Sequence, residues 1–223
     1  VRLLRHPVLF WTFNSFVVAL ITSIVSTLIN TMAGYAFAKK SIPLKEPLFI
    51  MFLAVMMIPA QISFIPLFVL IKKVGLFNTR AAMIIPGLAS AFYIFFLRQY
   101  LKDFPNDLLW TADIDGCGEI RKFLNVILPL SKPALAVCFT MTFMGQWNNF
   151  FFQLIIATRD SVKTLPVGIA QMVLSEQNYM EFGLPDFGIQ MAGATYSFLP
   201  MLLVFIVFQK QFVTGLFSGA LKG

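Results

Sequence analysis

The sequence predicts an all-α fold, a polytopic bundle of transmembrane helices that carries one charged helical loop. Of the 223 residues, 58% are apolar and 12% are charged, whereas soluble domains contain roughly 25% charged residues. Five long segments contain no Asp, Glu, Lys, Arg or His, and six charged residues gather between the third and the fourth of them, at 105–129. A soluble domain of this length cannot bury so much apolar surface, so we expect an integral membrane protein.

Each uncharged segment is long enough to cross a bilayer, which takes about 20 helical residues with a range of roughly 17 to 25. The third segment is the shortest, and we expect Arg98 and Lys102 to snorkel to the interface and extend it to about Leu101. The sequence therefore predicts one transmembrane domain over 1–223, with spans at about 13–38, 47–71, 81–101, 133–157 and 187–209.

Several other classes of protein fit the sequence poorly. Val17–Ile21 lacks the alternating polarity of a β-barrel strand, and the first apolar run is too long for a signal peptide. Cys117 and Cys138 lack neighbouring His or paired acids, so we expect packing roles and neither a disulfide nor a metal site. The net charge of +7 comes without a basic patch interleaved with aromatic residues, so no nucleic-acid partner is expected.

The first half of the charged loop predicts a short amphipathic helix. Pro105 suits the first helical position, where its missing N–H is no loss, and Asp107 then complements the helix dipole. Leu108, Leu109 and Ala112 recur at helical spacing and predict one small apolar face. A short helix of this kind suits contact with another protein.

The second half predicts a turn and a second helix. Asp115-Gly116 is expected to end the first helix, because Gly takes the left-handed conformation at low cost. A second helix is predicted from Gly118 through Leu128, after which Pro129 and Pro133 bend the chain into the fourth span. We expect a rigid lever at the foot of a membrane helix; the alternative is a merely solvated, charged connection.

The orientation follows from the basic residues near the span ends. Placing the charged loop in the cytoplasm puts ten of the 17 Lys and Arg residues on that side and seven outside, a weak positive-inside bias. With five spans, the C-terminus is then also cytoplasmic.

The loop also resembles the cytoplasmic coupling segment of ABC-importer permeases, which docks on the ATP-hydrolysing subunit. Pro105 to Gly116 reads Pro-x-acid-Leu-x-x-x-Ala-x-Ile-Asp-Gly, and Phe123 and Ile127-Leu128-Pro129-Leu130 follow. Four further motifs are similar to those of carbohydrate-type, maltose-permease-like subunits, in the same order: Asn14-Ser15 with Ala33–Ala38, Trp147–Phe150, Lys163–Gly168 and the tail 209–223. Such permeases usually have six spans, so one further helix is expected before Val1.

The resemblance implies roles for individual residues. Trp110-Thr111-Ala112 stands where the family has Glu-Ala-Ala, so one polar contact to the ATPase is missing unless Asp113 or Asp107 replaces it. The residues implied to couple to the ATPase are Asp107, Leu108, Leu109, Ala112, Asp113, Asp115, Gly116, Phe123 and Pro129. Within a tail at 212–223, Gly219, Ala220 and Lys222 are implied to contact the ATP-binding subunits.

The solute path is less evident from the sequence. An aromatic ring beside amides can stack on and hydrogen-bond to a sugar, while polar groups within spans also hydrogen-bond between helices. Packing is the plainer explanation of this cluster. The candidates are Gln146, Trp147, Asn148 and Asn149.

The motifs that the sequence lacks indicate where the energy enters. There is no G-x-x-x-x-G-K-[ST] phosphate-binding loop, and no carboxylate, Lys or His lies inside a predicted span, where ion-coupled carriers need one. A passive channel or carrier for a neutral solute remains the alternative, and a membrane anchor for a soluble enzyme is a third.

The resemblance favours a permease subunit of an ATP-driven importer, which is not itself an enzyme and has no catalytic residues. It implies half of the path for an oligosaccharide or related polyol, in a bacterial or archaeal plasma membrane. The implied partners are a second permease subunit, two copies of an ATP-binding subunit that hold ATP and Mg, an extracytoplasmic solute-binding protein and the lipid bilayer. No cofactor is expected on this chain.

Overall fold

The computed structural model describes residues 6–177 and 187–217, with side chains described at 6–173 and 187–209. Within these ranges the chain is helical and has no strand, in agreement with the predicted all-α class. The helices are α1 Val8–Lys39, α2 Lys45–Val55, α3 Phe64–Lys73, α4 Arg80–Ile84, α5 Ala91–Lys102, α6 Asp107–Ile114, α7 Glu119–Lys122, α8 Leu128–Leu130, α9 Lys132–Trp147, α10 Phe151–Ile156, α11 Leu165–Gln177 and α12 Phe187–Phe217. Short 3₁₀ turns occupy Ala60–Ser63 and Ile85–Gly87, and a π-helical turn, Phe123–Ile127, joins α7 to α8.

Two of the described helices are long and apolar enough to cross a membrane unbroken. They are α1, with 32 residues, and Phe187–Gln209 of α12, each with a mean hydropathy of 2.0. Three bent pairs bring the total to as many as five: Lys45–Val55 with Ala60–Lys73, Arg80–Gly87 with Ala91–Lys102, and Glu119–Leu130 with Lys132–Trp147. The structure thus supports a helical membrane protein, and the number of five spans stays a prediction.

The predicted spans at 47–71 and 81–101 are not single straight helices. The first is bent by 91° at a break that contains Pro59, and the second is bent by 42° just after Pro86-Gly87. Proline removes a backbone donor and disfavours the helical conformation of the residue before it, which explains the break that ends at Pro59 and suits the 3₁₀ turn that holds Pro86. The predicted span at 133–157 is also interrupted, between the end of α9 and the start of α10.

The chain packs as two compact units. The first consists of Val1–Thr22, Ala60–Gly87 and Thr142–Val207, and its core contains two clusters of buried side chains. One cluster is built around Trp11, Phe143, Trp147 and Leu165, and the other around Val18, Met83, Phe152 and Ile156.

The second unit consists of Ser23–Pro59, Leu88–Met141 and Phe208–Gly223, and three buried clusters form its core. Tyr35, Leu101, Leu109 and Ile127 form the cluster that lies behind the charged loop, here called the rear cluster. The other two clusters are centred on Phe37, Phe49 and Ile94, and on Leu97, Ala134 and Cys138.

Arg98 in the second unit does not snorkel as predicted. Its side chain is buried, lies 3.9 Å over the ring of Phe49, and donates two hydrogen bonds to Glu46 at 3.0 and 3.3 Å. A buried guanidinium needs such a partner, because an unpaired charge in this environment is costly. Arg98 therefore ties the end of α5 to the start of α2.

Candidate functional site

The charged loop begins with α6, whose start differs from the prediction. α6 begins at Asp107 with Asn106 as its N-cap, so the first turn carries the predicted negative charge. Pro105 lies before the cap, and the prediction that it takes the first helical position is wrong. The ammonium group of Lys39 binds the carbonyl oxygen of Phe104 at 2.6 Å and the side-chain oxygen of Asn106 at 2.9 Å, which holds this stretch outside the helix.

The residues predicted to form one apolar face of α6 point in different directions. Leu109 and Ala112 are only 9% and 7% exposed, and Leu109 packs in the rear cluster, whereas Leu108 is 43% exposed. The prediction of a single outward face made of these three residues is therefore wrong. The most exposed large apolar side chains of α6 are Trp110, at 61%, and Ile114, at 86%, which are four residues apart and so share a face.

The turn after α6 has the predicted geometry. Gly116 has a φ of 72°, in the left-handed region that glycine adopts at little cost. The Cys117 N–H donates to the Ala112 carbonyl at 2.9 Å and the Gly116 N–H donates to the Asp113 carbonyl at 3.0 Å. This pair of bonds is a Schellman motif, which satisfies the last carbonyls of the helix.

A second helical stretch follows, slightly later than predicted. It runs from Glu119 to Leu130 through the π-helical turn, instead of from Gly118 to Leu128. It then meets α9 at an angle of 81°, with Pro129 and Pro133 on either side of the bend, as the sequence predicted.

A groove opens beside this second stretch. Its volume is about 840 Å³, and the exposed side chains of Ile120 and Leu124 lie along it. The lining residues are Gly116, Gly118, Glu119, Ile120, Arg121, Leu124 and Asn125. The loop surface thus combines exposed apolar side chains with charged ones.

Behind the loop lies an ionic network that the sequence analysis missed. Glu119 accepts a hydrogen bond from Lys122 at 2.6 Å and pairs with Lys40 at 2.5 Å, and Lys122 also donates to Asp113 at 2.6 Å. Because Lys122 and then Lys40 donate hydrogen bonds to it, the pKa of the Glu119 carboxyl is lowered to about 2, so the carboxylate is ionised at neutral pH. The helical i,i+3 spacing of Glu119 and Lys122 was a local signal for part of this network.

The remaining predicted coupling residues have varied positions. Asp107, Asp113 and Asp115 are exposed, and Pro129 is exposed at the bend. Phe123 is half-buried, with its ring centroid 6.2 Å from that of Tyr35. The loop therefore has a surface side and a side attached to the bundle.

The four predicted solute-path residues do not form one exposed cluster. Trp147 is fully buried among apolar side chains, and its Nε1–H donates to the Ser197 carbonyl at 3.2 Å, which is a packing role. Asn148 is exposed, whereas Gln146 and Asn149 are half-buried. Gly219, Ala220 and Lys222 lie outside the described residues.

Two of the motifs noted in the sequence meet in the first unit. Asn14 is buried and donates to the carbonyls of Ser161 and Lys163, at 3.2 and 2.8 Å, while Arg80 donates to its side-chain oxygen at 2.9 Å. Ser15 accepts a hydrogen bond from the Leu165 N–H at 2.8 Å. Asn14-Ser15 therefore fixes the loop that leads into α11.

The described residues contain no group of three or more His, Cys, Asp or Glu side chains that could hold a metal ion. Cys117 is half-buried and Cys138 is buried, and they form no disulfide.

Comparisons with known proteins identify the family. The sequence model of the family described as binding-protein-dependent transport system inner membrane component matches residues 30–218. The arabinooligosaccharides transport system permease protein AraQ of Halalkalibacterium halodurans is 34% identical over 217 residues, which cover 96% of this chain and 75% of the relative. The lactose transport system permease protein LacG of Rhizobium radiobacter is 34% identical over 210 residues, which cover 94% of this chain and 74% of the relative.

A solved structure supports the fold. A crystal structure of a bacterial ABC transporter involved in the import of the acidic polysaccharide alginate covers 94% of this chain and 77% of its own matched chain, with a TM-score of 0.82 and 22% identity. The family match spans most of the chain, and both relatives are permease proteins, which confirms the predicted role of a transport subunit. The chain belongs to the binding-protein-dependent transport system inner membrane components, the permease subunits of ABC importers.

Proposed function

We propose that this permease subunit imports a carbohydrate and that residues 105–129 carry its docking surface for a separate ATP-binding subunit. The cargo class rests on relatives whose names specify arabinooligosaccharides and lactose. An oligosaccharide or related polyol is therefore the proposed cargo. ATP and Mg belong to the ATP-binding subunit in this proposal.

One observation supports the docking surface above others, namely the exposed apolar side chains within a charged segment. Trp110, Ile114, Ile120 and Leu124 are all exposed, and Ile114 lies between two exposed aspartates. Lipid is an unsuitable neighbour, because carboxylates on the same short helix would be desolvated. Aromatic and large aliphatic side chains beside charges are typical of protein–protein contacts.

The proposed coupling residues form two groups, those that contact the ATP-binding subunit and those that hold the loop against the helix bundle. Leu108 and the three aspartates lie at the surface, where they can touch the ATP-binding subunit together with Trp110 and Ile114. The side chains that hold α6 and the second stretch against the bundle are Leu109, Ala112 and Phe123. The angle between α6 and the second stretch is set at Gly116, and the angle between the second stretch and α9 is set at Pro129. The surface group is Asp107, Leu108, Asp113 and Asp115.

The proposed assembly follows the family and the sequence. This subunit pairs with a second permease subunit, two ATP-binding subunits lie on the cytoplasmic side with residues 105–129 and the C-terminus, and a solute-binding protein docks outside. Gly219, Ala220 and Lys222 are proposed to contact the ATP-binding subunits. Removing residues 219–223 is expected to reduce coupled uptake, and unchanged uptake would remove this contact from the proposal.

Co-purification of the ATP-binding subunit tests the docking surface. We propose to express the complete importer with Ile114→Arg, and with Val74→Arg as the control. Val74 is also exposed and apolar, but it follows α3, at the membrane side opposite to the charged loop in the proposed topology. Ile114→Arg should release the ATP-binding subunit while Val74→Arg retains it. Equal retention of the ATP-binding subunit by both variants would contradict the proposed docking surface.

The alternative of a passive channel for a neutral solute makes a different prediction. A channel equilibrates its solute without ATP, whereas the proposed importer accumulates it only when the ATP-binding subunit hydrolyses ATP. Uptake into vesicles with a hydrolysis-deficient ATP-binding subunit separates the two. Persisting uptake would favour the channel.

A further inference from the structure

The C-terminal end of α1 and Lys40, the residue that follows it, hold the charged loop at two separate places within the second unit. At the entrance of the loop, the ammonium group of Lys39 binds the carbonyl oxygens of Lys102 and Phe104, at 3.1 and 2.6 Å, and the side-chain oxygen of Asn106. These contacts fix the chain between α5 and α6. They leave the second helical stretch of the loop to be held by other groups.

Glu119 makes the second attachment. One carboxylate oxygen pairs with Lys40 at 2.5 Å and accepts a hydrogen bond from the Tyr35 hydroxyl at 3.4 Å, and the other accepts from Lys122 at 2.6 Å. Lys40 also lies 5.2 Å from the centroid of the Tyr35 ring. The single carboxylate of Glu119 thus contacts both α1 and its own helix.

Lys122 extends this attachment to α6. Its side chain is only 5% exposed, and it bonds both Glu119 and Asp113, each at 2.6 Å. A buried ammonium group requires partners of this kind, so its position depends on both acids. Through Lys122, the carboxylate of Glu119 connects the end of α1 with the helix that presents Trp110 and Ile114.

An exposed ion pair by itself contributes little to stability. The value of this arrangement is its geometry, because Glu119 lies in α7 and Lys40 directly follows α1, and the chain connects these two places only through several intervening segments. Without this contact, the second stretch reaches the bundle through apolar packing and through the 81° bend before α9. A displacement of the loop would then be transmitted to α1 less directly.

We propose that Glu119 is a positioning residue that locks the charged loop to the end of α1, so that the two move together when the ATP-binding subunits close. This inference rests on the proposed function of the loop. It assigns to α1 a direct part in receiving the movement. It also assigns Lys40 and Lys122 as the two partners through which Glu119 acts.

The test uses the complete importer in proteoliposomes and measures the solute transported per ATP hydrolysed. Glu119→Gln keeps the shape of the side chain and removes its charge, and thermal unfolding and retention of the ATP-binding subunit are measured beside transport so that the ratio is compared between intact importers. The solute carried per ATP should fall about fivefold or more, in the range of coupling between linked sites. An unchanged ratio would overturn the inference.

Partner variants separate positioning from a general structural effect. Lys40→Met should lower the same ratio, and the double variant Lys40→Met with Glu119→Gln should be no worse than the more impaired single variant, because the contact between Lys40 and Glu119 is lost in all three. Lys40→Arg retains a cation and should preserve most of the coupling. Additive losses in the double variant would overturn the assignment of Lys40 as the partner.

A cross-link provides a measurement that does not rely on losing a side chain. Lys40→Cys and Glu119→Cys, combined with Cys117→Ser, allow a short bifunctional thiol reagent to join the two helices. If they move together, joining them should raise the coupling above that of the untreated variant. A cross-link that abolishes uptake would show that they must separate, and would overturn the inference.

The outcome also distinguishes this inference from the proposed function. If the unaltered importer shows no ATP-dependent uptake, or residues 105–129 do not bind the ATP-binding subunit, the proposed function fails. If the unaltered importer is coupled and Glu119→Gln is equally coupled, only the role of Glu119 fails.

Discussion

The side-chain amide of Asn14 donates a hydrogen bond to the backbone carbonyl of Lys163, 2.8 Å away and 149 residues further along the chain. Asn14 is fully buried, and the same side chain accepts from Arg80. A single polar residue on α1 therefore satisfies groups from two other segments of the first unit. The Asn14-Ser15 motif and the Lys163–Gly168 motif are therefore parts of one contact.

Replacing Asn14 by Ala should destabilise the first unit. The change removes the partner of two carbonyls in partly buried contacts and of part of the Arg80 side chain, at a cost of about 1–3 kcal/mol. Thermal unfolding of the detergent-purified complex should show a lower midpoint temperature. Asn148→Ala is the matched control because Asn148 is exposed, and an equal effect of the two changes would contradict the role of Asn14.

Gly168→Ala should also destabilise the first unit. A Cβ atom at this position would lie 2.2 Å from Cδ2 and Cε3 of the buried Trp11 ring, and forcing extra volume into a packed core costs about 1–3 kcal/mol. Gly145→Ala is the control, since a Cβ there meets nothing within 4 Å. Thermal unfolding should separate the two variants, with Gly145→Ala at or above the unaltered protein.

Gly116→Val should reduce coupling without affecting membrane insertion. The positive φ of Gly116 resists a β-branched side chain at a cost of roughly 1–3 kcal/mol, although a Cβ there would meet nothing within 4 Å. The loss therefore comes from the backbone, and it should change the angle between α6 and the second stretch.

Gly118→Val is the matched control for Gly116. Gly118 is also open to solvent, but its φ of −67° and ψ of 165° suit valine. The solute carried per ATP should fall for Gly116→Val alone. Normal coupling by that variant would mean that the turn is an ordinary connection.

Ala112→Arg should disrupt the loop by unfolding it locally. Ala112 is nearly buried, so an arginine there must push α6 away from the bundle. Limited proteolysis should cut within residues 105–129 more rapidly than in the unaltered protein. Ile114→Arg, at an exposed position of the same helix, should not increase the cutting. If Ala112→Arg is cut no faster than the unaltered protein, the inward position of Ala112 is contradicted.

The sequence was sufficient to predict features that depend on local chemistry. Long uncharged segments indicated the membrane helices, and Asp115-Gly116 indicated the turn because its backbone preference is intrinsic to glycine. The first turn of α6 likewise carries Asp107 as predicted. Pro129 and Pro133 flank the bend before α9, as the sequence predicted, because proline interrupts a helix through its own covalent structure.

Features that depend on distant contacts were not predictable in the same way. Helical spacing showed that Leu109 and Ala112 could share a face with Leu108, but it did not show which side the bundle covers. Leu109 is covered because it meets Tyr35 and other side chains of the rear cluster. The pairing of Glu119 with α1 had no local signal either, since Tyr35 and Glu119 are 84 residues apart.

ATP-dependent uptake is the most direct test of the claim that the charged loop couples transport to ATP hydrolysis. The measurement follows a labelled oligosaccharide into proteoliposomes that contain the complete importer. The solute-binding protein is added outside the vesicles, and ATP is enclosed inside them, on the side of the ATP-binding subunits. The unaltered importer should accumulate the sugar, and Ile114→Arg should lose about tenfold or more, as expected when a central contact worth about 1.4 kcal/mol or more is removed. Full ATP-dependent accumulation by Ile114→Arg, with the same thermal unfolding as the unaltered protein, would contradict the account.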